Sequence, residues 1–125
     1  MANSRSILFI SRDTPDEETR RLLESRELRV IRVNDVSVAA DFISQTKFAA
    51  VVLDLSIGSD AVPFVQSIHN ELPVLAIGEW GSGQPSVALG AGADGYEPTP
   101  LNAARLLASI ERLLTKTALA AVASE

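Results

Sequence analysis

Asp54 is the residue best placed to do chemistry in this chain. It stands near the end of the run Phe48 to Gly58, FAAVVLDLSIG, as the sole charge among mainly apolar neighbours. An apolar run of this kind, rich in Val, suits a strand buried on both faces of a parallel sheet. A carboxylate in such a place needs a reason, because a buried unpaired charge is costly. The C-terminal ends of parallel strands are also where open α/β sheets place their ligands. Asp54 therefore reads either as a functional carboxylate or as a cap for the next loop.

A second group, Ser11-Arg12-Asp13, follows the wholly apolar run Ile7 to Ile10 and so lies at another strand end. Gly90, Gly92 and Gly95 spell GxGxxG within GAGADG. That pattern holds a pyrophosphate when it follows a strand and opens a helix. Here it follows a short helix and precedes a short strand, so it reads as a helix C-cap and a tight turn. Asp94 reads as a turn residue and His69 as a helix-surface residue. Trp80 sits in a glycine-rich loop, either as a contact residue or packed on the helix below.

Composition removes several chemistries. The chain has no cysteine, which excludes disulfides, thiolate nucleophiles and Cys-based zinc sites. One histidine excludes a multi-His metal centre. A net charge of −5 gives no general attraction to nucleic acid or to an anionic membrane. MANSRS lacks the apolar core of a signal peptide, and no apolar run is long enough to span a bilayer. These features lead to the expectation of a cytoplasmic protein.

The elements that must position Asp54 follow from periodicity. The 125 residues suit one domain with one core. Thr14-Pro15-Asp16-Glu17 predicts a helix start, with Thr14 as cap and Glu17 completing a capping box, and that helix runs to about Ser25. Leu28 to Val33 alternates as a strand nearer a sheet edge would. Asn34-Asp35 then cap a helix whose inner face is Val36, Ala39, Ala40 and Ile43. After the Asp54 strand, Gly58 turns the chain and Asp60 caps a third helix. That helix buries Ala61, Phe64, Val65 and Ile68, with Pro63 in its first turn.

Val74 to Ile77 is a fourth strand, followed by a loop from Gly78 to Gln84. Pro85 to Leu89 forms a short helix ended by Gly90, and Gly95-Tyr96-Glu97 forms a fifth strand. A last helix starts near Leu101 and turns Ala103, Leu106, Leu107, Ile110, Leu113 and Leu114 to one side. Five strands alternating with five helices imply parallel strands joined by right-handed crossovers. Residues 1–114 make the domain. Residues 115–125 form an Ala-rich tail that either extends the last helix toward a further effector domain or frays.

Three segments, VVLDLSIG around Asp54, PVLAIG from Pro73, and GADGY from Gly92 with Thr99-Pro100 after it, resemble the receiver domain of two-component response regulators. The resemblance runs from Ile7 to about Leu114. It implies a flavodoxin-like (βα)5 fold, a five-stranded parallel sheet with helices on both faces. It also implies phosphoryl transfer from a histidine kinase to Asp54. In that family Mg²⁺ is held by the phosphoacceptor, an acidic pair after the first strand and a backbone carbonyl just past the phosphoacceptor. A Thr or Ser ending the fourth strand and a Lys ending the fifth hold phosphoryl oxygens.

This sequence keeps little of that set. The acidic pair falls on Ser11 and Arg12, leaving Asp13 with Asp54 as a weak or absent Mg²⁺ site. The hydroxyl position is Gly78, the next is Glu79, and the lysine position is Thr99. Tyr96 matches the aromatic position that reports activation. The expectation is an atypical response regulator's pseudo-receiver, not an enzyme and without a cofactor. It would bind an effector domain, a kinase or its own copy through the fourth helix, fifth strand and fifth helix, with no nucleic acid or membrane contact of its own. Transcription regulation is one such output.

Two narrower expectations accompany it. Arg12 either pairs with Asp54 in place of the metal or extends into solvent. Gly78 leaves room for Tyr96 to rest inward without a signal; otherwise Tyr96 is an exposed ring at a partner surface. The alternatives to the pseudo-receiver are a working phosphoacceptor at Asp54 and a flavodoxin-like domain that binds a small molecule near Gly78 to Gly83.

Overall fold

Alternating apolar runs and amphipathic segments do fold into a doubly covered sheet. The computed structural model describes residues 5–79, 81 and 83–123, with side chains as far as residue 116; Trp80 lies outside the described residues. The strands are β1 (Arg5–Ile10), β2 (Leu28–Val33), β3 (Ala50–Asp54), β4 (Val74–Gly78) and β5 (Gly95–Pro98). The helices are α1 (Glu17–Glu24), α2 (Val36–Gln45), α3 (Ala61–Ile68), α4 (Gln84–Ala91) and α5 (Ala103–Ala123). All strand pairs are parallel, in the order β2-β1-β3-β4-β5. This is the expected flavodoxin-like (βα)5 fold, and β2 is an edge strand.

The apolar runs are continuous because both faces of the sheet are covered. Leu8, Ile10, Val51, Leu53, Val74 and Ala76 pack under α2, α3 and α4. Their neighbours in sequence, Ile7, Phe9, Ala50, Val52, Leu75 and Ile77, pack under α1 and α5. Successive residues of a strand point to opposite faces, so each run supplies two cores at once. The inner face of α3 is the expected Ala61, Phe64, Val65 and Ile68. On α5, Leu106, Leu107, Ile110, Leu113 and Leu114 are buried, and the backbone stays helical to Ala123.

Several local expectations change. The cap of α1 is Asp16, not Thr14: its carboxylate accepts the Thr19 amide at 2.7 Å. An ionised acceptor at the positive end of a helix outbids a hydroxyl two residues earlier. Glu17 does not close a capping box but pairs with Arg20 and Arg21. Asp35 does cap α2 through the Val38 amide. Ala40, expected inside, is exposed, and only Ala39 of that helix is fully buried.

Asp60 occupies the N-cap position of α3 without a capping bond, because its backbone is already helical at φ −80° and ψ −11°. The helix α4 ends at Gly92, not Gly90. Gly92 takes φ +114°, and the Gly92 and Ala93 amides bond back to the Leu89 and Ala88 carbonyls. That is a glycine C-cap, as the GAGADG stretch implied, placed two residues later.

Candidate functional site

The register brings the C-terminal ends of four strands together. Ile10 lies beside Leu53, Asp54 beside Ile77 and Gly78 beside Pro98. Ser11, Asp54, Gly78 and Thr99 therefore converge at one end of the sheet. A cavity of about 280 Å³ opens there, with Ser11, Asp13, Asp54, Ile77 and Thr99 in its wall.

Asp54 is partly buried and held by two donors. The Ser11 hydroxyl donates to Oδ2 at 3.3 Å, and the Ser56 amide donates to Oδ1 at 2.9 Å. The second bond caps the short 3₁₀ turn Leu55–Ile57. Asp54 thus borders the cavity and caps the next turn. Ser11, 3% exposed, also accepts the Asp13 amide at 3.2 Å, so its hydroxyl orders the loop between β1 and α1.

Arg12 does not pair with Asp54. Its guanidinium donates to the Ile57 carbonyl at 3.0 Å from an exposed position. None of the ion pairs among the described residues involves Asp54. The bond forms at an exposed position, where a long side chain reaches a carbonyl without being desolvated. A second guanidinium, of Arg32 at the end of β2, donates to the Ser11 and Arg12 carbonyls at 3.0 and 3.1 Å. Two arginines thus tie the loops of β1, β2 and β3 together. Arg32 was not legible as a site residue, since an exposed Arg on an edge strand carries no local signal.

The carboxylates at this end of the sheet are few. Asp13, Asp16 and Asp54 border the cavity, but Asp16 is the cap of α1 and the hydroxyl of Ser11 is already bonded on both sides. Among the described residues, no three His, Cys, Asp or Glu side chains form a group that could hold a metal ion. Mg²⁺ demands an octahedron of hard oxygens, and a guanidinium at the neighbouring loop opposes it.

On the β4 and β5 side, the Thr99 amide and hydroxyl both donate to the Gly78 carbonyl, at 2.8 and 3.3 Å. The peptide between Thr99 and Pro100 is cis. Glu79 is exposed. Tyr96 lies inward, packed on the core beneath α2, α3 and α4. Its hydroxyl donates to the Glu79 carbonyl at 2.7 Å. Burial raises the phenol pKa above its ordinary value, and the carboxylates of Glu79 and then Asp54 add to that. Gln84 also enters this group, accepting the Glu79 amide at 2.9 Å. Sequence reasoning placed Gln84 at a loop end, and no local pattern marks it.

No protein-family model matches the sequence, and no curated protein matches it. Solved structures do. A response regulator from Thermotoga maritima superposes with a TM-score of 0.79 at 17% identity, over 90% of this chain and 99% of that one. A two-component response regulator from Clostridium difficile gives 0.78 at 23%, over 90% and 98%. NtrX from Brucella abortus, in complex with ATP, gives 0.85 at 24% over 98% of this chain, which spans 29% of that one. Identities this low carry the architecture and not the chemistry. The chain has the fold of response-regulator receiver structures.

Proposed function

We propose that this chain is a signal-transduction module that acts by binding protein partners and is not switched by phosphorylation at Asp54. The observation that carries the reading is the ring of groups around that carboxylate. A hydroxyl and an amide reach it, while the guanidinium of Arg12 is bonded to the Ile57 carbonyl. Phosphoryl transfer gathers negative oxygens at one point and needs cations and donors around them. Ser11, Arg12, Gly78 and Thr99 stand where the receiver resemblance puts an acidic pair, a hydroxyl and a lysine, and Asp13 is the acidic residue that remains of that set.

The partner face of this reading is α4, β5 and α5. Val87 and Leu89 on α4 are 53% and 50% exposed, large for apolar side chains with no role in the core. The partners would be an effector domain, a kinase or a second copy, with residues 1–114 as the module and residues 115–125 as tail or linker. No helix among the described residues is long and apolar enough to cross a membrane. A small anion at the loop after Gly78 gains no support, since the Glu79 amide is already taken by Gln84.

The test is Mg²⁺ with beryllofluoride, followed by amide shifts at Asp54, Gly78 and Tyr96, together with phosphate uptake from a small phosphodonor. Unchanged spectra at millimolar Mg²⁺ and no uptake are expected. Saturable, Mg²⁺-dependent shifts at those three places would overturn the reading in favour of a working phosphoacceptor.

A further inference from the structure

Gly78 closes β4, and its φ is not in the left-handed region. Backbone freedom therefore does not explain a glycine there. Space does. A Cβ on residue 78 would lie 2.7 Å from the Tyr96 hydroxyl oxygen and closer still to Gln84 Oε1. No real Cβ tolerates such contacts. The volume a side chain would fill holds the ends of two side chains from elsewhere, one from β5 and one from the first turn of α4.

Those two ends grip a single residue. The Glu79 amide donates to Gln84 Oε1 at 2.9 Å, and the Glu79 carbonyl accepts the Tyr96 hydroxyl at 2.7 Å. The hydroxyl also lies 3.4 Å from Gln84 Oε1. A phenol has one proton to give, and the shorter contact to the carbonyl is its direction.

We infer that Gly78 makes room for a latch, in which Gln84 and Tyr96 hold residue 79 by its amide and its carbonyl and fix the start of α4 against β5 whatever the state of Asp54. The latch stands on its own geometry; its independence from Asp54 rests on the reading under Proposed function. It gives that reading a physical basis, because a partner meeting α4 and β5 finds one arrangement. The groups that face the phenol favour its protonated, donating form. Burial does so first, then Glu79 from the loop after β4 and Asp54 from β3. A further negative charge at Asp54 would raise the phenol pKa in the same direction and keep its proton in place.

Tyr96 is the sole tyrosine, so phenolate absorbance during an alkaline titration reads this one group. Hydrogen exchange of the Glu79 amide reads the other half. The wild-type phenol should titrate above its ordinary value of about 10, and Gly78→Ala should bring it back toward that value. Gln84→Ala, which removes nothing from the core, should lower protection of the Glu79 amide by about fivefold, the weight of one ordinary hydrogen bond. Far-ultraviolet circular dichroism at each point confirms that the fold persists. A wild-type phenol at its ordinary value, or Glu79 protection untouched by Gln84→Ala, overturns the latch.

Asp54→Asn separates the two claims. Unchanged Glu79 protection in that variant supports a latch independent of Asp54, and lost protection overturns that independence. Beryllofluoride shifts confined to Asp54, with Glu79 still protected, would overturn the proposed function and leave the latch standing.

Discussion

Two glycines of the GAGADG stretch should respond to alanine with opposite signs. Gly90 lies inside α4, exposed, and a Cβ there meets nothing within 4 Å. Alanine at such a position gains about 0.5–1 kcal/mol through helix propensity. Gly92 is two residues on, at φ +114°. A Cβ there costs about 1–2 kcal/mol in backbone strain alone. It would also fall 2.5, 2.6 and 2.8 Å from His69 Cγ, Cδ2 and Nδ1, so the imidazole must swing away from the end of α3. The two variants should therefore differ by about 2 kcal/mol or more, roughly thirtyfold in the folding equilibrium.

Urea denaturation followed by circular dichroism measures this directly, with equal slopes showing that the unfolded state is unchanged. Adding His69→Ala to Gly92→Ala should recover the packing part of the loss and not the strain part, which a double-mutant cycle separates. Gly92→Ala as stable as wild type, or both glycine variants shifting the same way, would refute the reasoning. It would also reopen the question of what the stretch is for, since a cap and a close approach to His69 are the roles assigned to it.

Other substitutions test single contacts. Arg12→Ala removes the bond to the Ile57 carbonyl on an exposed surface, so it should cost at most about 1 kcal/mol in urea, with amide shifts confined to Leu55–Ile57 and the loop after β1. Asp94→Ala leaves the fully buried Val74 amide without its 2.8 Å acceptor and should cost about 1–3 kcal/mol, most of it recovered by Asp94→Asn. Asp16→Ala should cost about 1 kcal/mol as a lost helix cap. Hydrogen bonds to Thr19 hold the Asp16 carboxyl below its ordinary value. Its contribution is therefore complete above the unfolded carboxyl pKa, about 4, and is lost as pH falls through the folded value. Acid titration of stability should show wild type losing more than Asp16→Asn, which keeps a neutral cap.

The sheet and most of its cover are legible in the amino acids alone. Runs such as ILFI, AAVVL and VLAI are short and apolar at every position, as a strand with two covered faces is. The inner faces of α3 and α5 recur at helical spacing, and Asp54 is marked by being the one charge in its run. These are local patterns, and local patterns survive in a string of letters. The helix α4 was read two residues short because its exposed Val87 and Leu89 blur the period that ends it.

Where competing partners went was settled by packing between distant segments. Asp16 took the cap that Thr14 was expected to hold, Arg12 found a carbonyl and not the carboxylate, and Ser11 became the side chain that touches Asp54. Each outcome depends on distances between segments far apart in sequence, which no spacing encodes. Gly78 shows the limit most plainly. Its letter says that a side chain is missing, whereas the use of the space depends on Gln84 and Tyr96 arriving from α4 and β5 to fill it.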